Sequence, residues 1–367
     1  MFDGVHGGDV RGASLEFGIA PEALLDFSAN INPLGFPEEL RQSVSAHLEQ
    51  ISQYPDPRCT ELRDALAARY GLDVRQILAG NGCCALIHRI VEAIRPARVL
   101  ICAPAFGEYA AAARRFGADI KLVPPREADG FALNGNRIAE ALDGVALVFL
   151  CNPNNPTGQA MAQADVLRLG EACRRRGIAL VVDEAFVEFA DAPDRFSVLK
   201  ASPDFENLLV LRSFTKLYGC PGLRLGYAVG APEVIEKIAR CQEPWAVSTL
   251  AQVAGIAALP CEAFRERTRL LIHSERAFLF QRLSRIAGIR PFPSEVNFLL
   301  IQIERPDLDA RTLRRRLGRK GLLIRDASSF DGLDNRFFRI AVRTHKENER
   351  LLRALEEALH PSIGHRA

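Results

Sequence analysis

This chain lacks any large excess of one charge. Over 367 residues the formal net charge is only +2, so it offers no broad field to a nucleic-acid backbone or an anionic membrane surface. Long apolar runs are missing too. No stretch approaches the roughly 20 residues that a membrane-spanning helix needs, and no charged start followed by an apolar segment opens the chain. The nine cysteines include an adjacent pair, Cys83-Cys84, but no C-x-x-C and no Cys/His grouping at zinc spacing. They read as reduced, mostly buried thiols without a metal, which argues for a cytoplasmic protein. Repeats and low-complexity segments are absent. Lysine is scarce, with six against 41 arginines, so each lysine deserves individual attention.

What is present is enough chain for one large or two medium domains. Residues 1–35 are glycine-rich and carry too little apolar periodicity to fold alone, so they read as an arm packed on something larger. Two helical patterns follow between about 38 and 70, broken at Tyr54-Pro55-Asp56-Pro57. Then strands expected at 99–102, 120–123, 146–151, 179–182, 208–211 and 225–229 are interleaved with helices at 106–116, 135–142 and 163–176. This alternation predicts an α/β fold with a mostly parallel sheet covered on both faces. Beyond Trp245 come helices to about 259 and over 262–286, 310–319 and 346–359, with strands at 297–303, 322–324 and 337–342. These predict a smaller α+β domain, with Pro291-Phe292-Pro293 a loop within it. The expected division is an arm over 1–35, a large domain over 36–260 and a small one over 261–367.

The stretch with most chemistry is Ser213-Phe-Thr-Lys-Leu-Tyr-Gly-Cys-Pro-Gly-Leu-Arg224, set between two apolar strands. A desolvated lysine favours its neutral form, the nucleophile that condenses with an aldehyde, and Lys216 alone of the six has an apolar, glycine-bearing setting. Gly80-Asn81-Gly82-Cys83-Cys84 opens a helix, where free N–H groups and the positive end of the helix dipole suit a phosphate. Asp183 ends the run Leu180-Val181-Val182, at the strand end where ligands bind in open α/β sheets. Asn152-Pro153-Asn154-Asn155-Pro156-Thr157-Gly158 makes a rigid turn after another strand and can present amides to the same crevice. A phosphate cradle, a carboxylate for a pyridinium nitrogen, an amide for a phenolic oxygen, an imine-forming lysine and an arginine are together what pyridoxal 5'-phosphate requires.

In these motifs, and over essentially its whole length, the chain resembles fold-type I aminotransferases of the class I/II group. The resemblance implies that Lys216 bonds the cofactor and later moves protons, that Asp183 pairs with the pyridine nitrogen, and that Asn155 bonds the phenolic oxygen. It implies that Tyr109 stacks on the ring and that Ser213, Arg224 and the backbone of Gly82 and Cys83 hold the phosphate. Tyr54 matches a tyrosine that reaches the phosphate of the neighbouring subunit, which implies a homodimer sharing its active sites. Arg339 matches the arginine that grips the substrate carboxylate, a task suited to a bidentate guanidinium. Phe186 stands where many relatives have tyrosine, and Cys83 and Cys84 replace more polar residues.

Within that group the chain is similar to threonine-phosphate decarboxylases and, next, to histidinol-phosphate aminotransferases. His6-Gly7-Gly8, residues 25–35, Pro244-Trp245-Ala246-Val247 and the 339–343 segment resemble the former and imply a small phosphorylated amino acid as substrate. Independently, Arg325 ends the expected strand 322–324 and adds a second cation on the side of Arg339. Asn32, His6 and the N–H groups of Gly7 and Gly8 are candidates to complete a phosphate pocket. Whether the two arginines divide phosphate and carboxylate or share the carboxylate stays open at this level. So does the choice between decarboxylation and amino transfer, since no spacing reports which Cα bond stands perpendicular to the ring.

Overall fold

The computed structural model describes residues 6–359, so the ends of the expected arm and of the expected small domain lie outside the described residues. The central sheet has seven strands: β1 (Ile77–Gly80), β2 (Arg98–Cys102), β3 (Asp119–Val123), β4 (Leu147–Cys151), β5 (Ala179–Asp183), β6 (Leu208–Ser213) and β7 (Gly226–Val229). Their order is β1-β7-β6-β5-β4-β2-β3. All neighbours are parallel except β7, which runs antiparallel to both β1 and β6.

Side-chain alternation explains why these strands, the edge strand β3 apart, are apolar almost throughout. In β4, Val148 and Leu150 enter one hydrophobic core while Leu147, Phe149 and Cys151 enter another on the opposite face. In β6, Leu208 and Val210 alternate with Leu209 and Leu211 in the same way. A strand buried on both faces has no solvent side, so it shows no polar periodicity. The parallel strands β2, β4, β5 and β6 end at Cys102, Cys151, Asp183 and Ser213, and the ends of the last three wall one crevice.

A second, antiparallel sheet comprises β8 (Ile289–Pro291), β9 (Phe298–Ile303), β10 (Arg325–Asp326) and β11 (Phe337–Ala341), in the order β10-β11-β9-β8. The expected strand at 322–324 is cut short. Leu322 and Leu323 pair in parallel with Leu25 and Asp26, whereas Arg325 and Asp326 pair with Arg339 and Phe338 of β11. The chain changes partners at Ile324, which sets Arg325 opposite Arg339. The expected loop at 291–293 begins as the end of β8. Elements beyond those expected are the helix Val10–Phe17, capped by the Asp9 side chain on Gly12 N–H, the edge strand β1, and the helix Pro232–Ala239 with proline at its first turn.

Beneath the crevice lies a buried charge network. The Arg212 guanidinium of β6 donates to Glu184 (2.8 Å), Glu188 (2.6 Å) and Ser197 (2.9 Å). Ser197 Oγ–H and Val198 N–H also donate to Glu184, at 2.8 and 2.7 Å. Burial disfavours the Arg212 cation, but the two carboxylates outweigh it and hold its pKa well above the ordinary value. The network joins the ends of β5 and β6 next to Asp183 and Ser213. Glu184→Ala strands much of a buried cation, and we expect a loss of about 3 kcal/mol in stability, read as a fall in the urea midpoint. An unchanged midpoint would show that the network carries no such weight.

Candidate active site

A cavity of about 390 Å³ opens at the strand ends, between the central sheet, the second sheet and the arm. Lys216 lies on one wall, in the single helical turn Phe214–Leu217 that follows β6. Ser213 caps that turn, accepting from Thr215 N–H at 3.3 Å while its hydroxyl lies 2.7 Å from Thr215 Oγ1. Burial pushes the Lys216 ammonium down from its ordinary value, and the nearby Arg224 and Arg339 cations push the same way. The lysine is therefore shifted toward the neutral, nucleophilic form.

Asp183 also faces the cavity, at the end of β5. Burial pushes its carboxyl up, against the effect of a Tyr109 hydroxyl that donates to Oδ2 at 2.7 Å and an Ala185 N–H that donates to Oδ1 at 3.0 Å. A carboxylate this desolvated gains strongly from a cationic partner on its open side.

The third wall is the start of the helix Gly82–Ile94. Asn81 makes no side-chain cap there, so no N-cap side chain occupies the first N–H groups. Gly82 has φ +74°, and a Cβ at that position would stand 2.6 Å from Arg224 Nη2. Glycine is thus what lets the Arg224 guanidinium cross the helix start. The Cys83 thiol is committed to the Arg212 carbonyl at 3.2 Å, and burial pushes its pKa well above the ordinary value. It contributes backbone and bulk here, not charge. An uncapped helix start with an adjacent guanidinium and Ser213 fits a phosphate, while Lys216 and Asp183 fit an aldehyde and a pyridinium. The residues present fit pyridoxal phosphate.

Two arginines of the second sheet line the same cavity. Arg339 is buried; its Nη1 donates to Asn155 Oδ1, its Nη2 to the Ser28 carbonyl at 2.8 Å, and it lies 5.3 Å from the Phe298 ring centroid. Burial, with Arg325 directly across the strand pair, pushes Arg339 down to about 9. Arg325 donates to Ser329 Oγ at 2.7 Å and lies over Phe330. His6 and Gly7 reach the same cavity from the arm. A Cβ on Gly7 would meet the Ser28 carbonyl oxygen at 2.2 Å, so only glycine fits there.

Three expected positions are corrected or displaced. Tyr109 does not stack on anything in the cavity: its ring lies flat on Phe149, 4.8 Å away, and its hydroxyl is spent on Asp183 from behind. Phe106, three residues earlier and ahead of the helix Glu108–Arg115, lines the cavity instead. Asn32 is occupied elsewhere, its amide donating to Leu217 O and Thr268 Oγ1 and its carbonyl accepting from Leu34 N–H. Asn30 takes the place at the wall, and its buried Oδ1 has no partner among the described residues. Gly8 turns away and gives its N–H to Ser28 Oγ at 2.9 Å. Tyr54 is 79% exposed, stacked on Trp245, and lies outside its own chain's cavity. Cues for Phe106 and Asn30 were present in the sequence as an aromatic just after a strand-end turn and a second asparagine in the same run.

This cavity, on this sheet, places the chain among the aminotransferase-fold enzymes. The sequence model of the aminotransferase class I and II family matches residues 22–355, and the chain belongs to that family. It is similar to a threonine-phosphate decarboxylase of Salmonella typhimurium, 39% identical over 98% of both chains. It is also similar to a histidinol-phosphate aminotransferase of Moorella thermoacetica, 33% identical over 97% of this chain and 90% of that one. Among solved structures, L-threonine-O-3-phosphate decarboxylase from Porphyromonas gingivalis superposes with a TM-score of 0.82 and 30% identity, over 91% of this chain and 99% of that one.

The depressed Lys216 carries a stability consequence. A base whose folded pKa lies below its unfolded value of 10.5 costs stability at neutral pH, and that cost fades as pH rises toward the unfolded value. Cofactor-free Lys216→Met should therefore melt about 2 °C or more above the wild type at pH 7, with the gap narrowing in alkali. A variant that melts lower at pH 7 would contradict the assigned burial cost.

Proposed function

We propose that this protein decarboxylates L-threonine O-3-phosphate, with pyridoxal 5'-phosphate as cofactor, to (R)-1-amino-2-propanol O-2-phosphate and CO₂, a step of cobalamin biosynthesis. The observation that carries this reading is the cross-strand register of Arg325 and Arg339 in the cavity that Lys216 also lines. Two guanidiniums directly opposed repel each other, and a small ligand with two anionic groups removes that penalty. The 39% identity to a decarboxylase of that substrate supports the same choice.

When bound, the cofactor supplies an electron sink for the bond broken at Cα. The chain's own groups do the rest. Lys216 Nζ holds the cofactor before substrate arrives and then delivers a proton to Cα once CO₂ has left. Asp183, already short of solvation, holds the proton on the pyridine nitrogen. Asn155 has its Oδ1 occupied by Arg339, so its Nδ2–H₂ is the end left to donate to the phenolic oxygen. Gly82, Cys83, Ser213 and Arg224 hold the cofactor phosphate, Phe106 covers the ring, and Arg325, Arg339, His6, Gly7 and Asn30 receive the substrate. Tyr54, exposed beside Trp245, reaches the site of a second subunit in a homodimer. The described parts of the arm over 1–35, the large domain over 36–260 and the small domain over 261–367 enclose the site. No helix among the described residues is long and apolar enough to cross a membrane, and we place the enzyme in the cytoplasm.

The purified protein should release CO₂ from L-threonine O-3-phosphate with no oxo-acid present, and Lys216→Ala should abolish release. Turnover of histidinol phosphate dependent on 2-oxoglutarate, without CO₂ release from phosphothreonine, would instead identify an aminotransferase. Arg339→Gln should lower kcat/KM about 100-fold or more while keeping the cofactor's absorbance band.

A further inference from the structure

Glu108 has no part in the chemistry above, yet it lines the cavity and is shared by two histidines. His6 Nε2 lies 3.1 Å from its Oε1, and His88 Nε2 lies 3.3 Å from its Oε2. The three groups come from three places. His6 is on the arm, Glu108 begins the helix Glu108–Arg115, and His88 sits in the helix whose start forms the phosphate cradle. The His6 ring also leans on Phe106, 5.7 Å between centroids at 50°. Just beyond His6, the arm is seated on Ser28 by the Gly7 contact and the Gly8 N–H, and Ser28 in turn receives Arg339 through its carbonyl. Among the described residues, the other contact of the His6 ring is the one with Phe106.

The geometry points to Glu108 as the positioning residue for His6: its carboxylate, braced by His88, fixes the His6 side chain at the cavity mouth so that the arm, with His6 as the imidazolium, presents a preset donor to the substrate's phosphate. This rests on the proposed reading of the substrate as a phosphorylated amino acid. A carboxylate that takes one ring nitrogen of a histidine sets the direction in which the other points, and a donor held in place loses less freedom on binding than one that must be ordered each time. Glu108 itself is repelled by the phosphate, so its contribution is expected only through His6.

The test is calorimetric titration of the cofactor-loaded wild type, Glu108→Ala, His6→Ala and the double variant, with L-threonine O-3-phosphate and with L-threonine. Expected is a Kd for phosphothreonine raised about tenfold in Glu108→Ala and in His6→Ala, no further rise in the double variant, and unchanged threonine binding. Glu108→Gln, which keeps an acceptor oxygen, should recover part of the loss and serves as well if the alanine variant folds poorly. Equal, additive losses in the double variant, or the same loss for threonine, would reduce Glu108 to a structural residue and overturn the inference. So would unchanged phosphothreonine binding in Glu108→Ala. CO₂ release is scored separately: a wild type that binds phosphothreonine without releasing CO₂ refutes the decarboxylase reading and leaves the binding comparison decisive, and one that does not bind it overturns both.

Discussion

A buried guanidinium, Arg339, sets the terms for the whole site. It makes no ion pair among the described residues; neutral acceptors on Asn155 and Ser28 and the face of Phe298 are what hold it. Moving such a cation out of water is costly, and a second guanidinium directly across the strand pair adds to the cost. The arrangement draws on every part of the molecule. Ser28 comes from the arm, Asn155 from the turn after β4, and Phe298 and Arg325 from the second sheet. The arm cannot shift, nor the second sheet slide, without disturbing the contacts that keep this charge tolerable.

The other half of the site uses the simplest property of a strand, that neighbouring side chains point opposite ways. Asp183 faces the cavity, and the next residue, Glu184, faces the buried network. On β6, Arg212 belongs to that network and Ser213 to the cavity. A strong ion pair thereby fixes the backbone on which the reactive side chains stand, without touching the reaction. Behind Asp183 the same logic recurs with Tyr109, whose ring is clamped flat on Phe149 and whose hydroxyl aims the carboxylate. Cavity groups are positioned by partners one residue or one layer away.

This alternation also explains what could be read from residues alone. Strands buried on both faces appear as unbroken apolar runs, so β2 and β4 to β7 were legible nearly to their ends, and with them the strand-end positions of Asp183, Asn155 and Lys216. The errors arise where sequence distance is short and direction matters. Phe106 and Tyr109 are both aromatics in one short segment, but only the one ahead of the helix faces the cavity. Asn30 and Asn32 share an Asn-Ile-Asn run, and what separates them is the two acceptors that the Asn32 amide finds 185 and 236 residues away. The partner change at Ile324 is likewise invisible locally, because Leu-Leu-Ile-Arg looks like one strand until Leu25 and Asp26 are seen to claim its first two residues.

The Arg339–Asn155 contact bears, finally, on which Cα bond breaks. Asn155 gives its Oδ1 to Arg339, so in the proposed reading its Nδ2–H₂ would donate to the cofactor's phenolic oxygen, and the anion that Arg339 receives would lie one side chain away from the cofactor. A carboxylate taken by Arg339 would be restrained on that side, and loss of CO₂ would require the bond from Cα to the carboxylate to be free of that restraint. If the proposed reaction holds, then, the phosphate is the group that Arg339 must take, with Arg325 across the strand pair sharing it and His6 closing from the arm. The same two arginines would serve a phosphorylated substrate in either chemistry, and which of its groups they take bears on which bond at Cα can break.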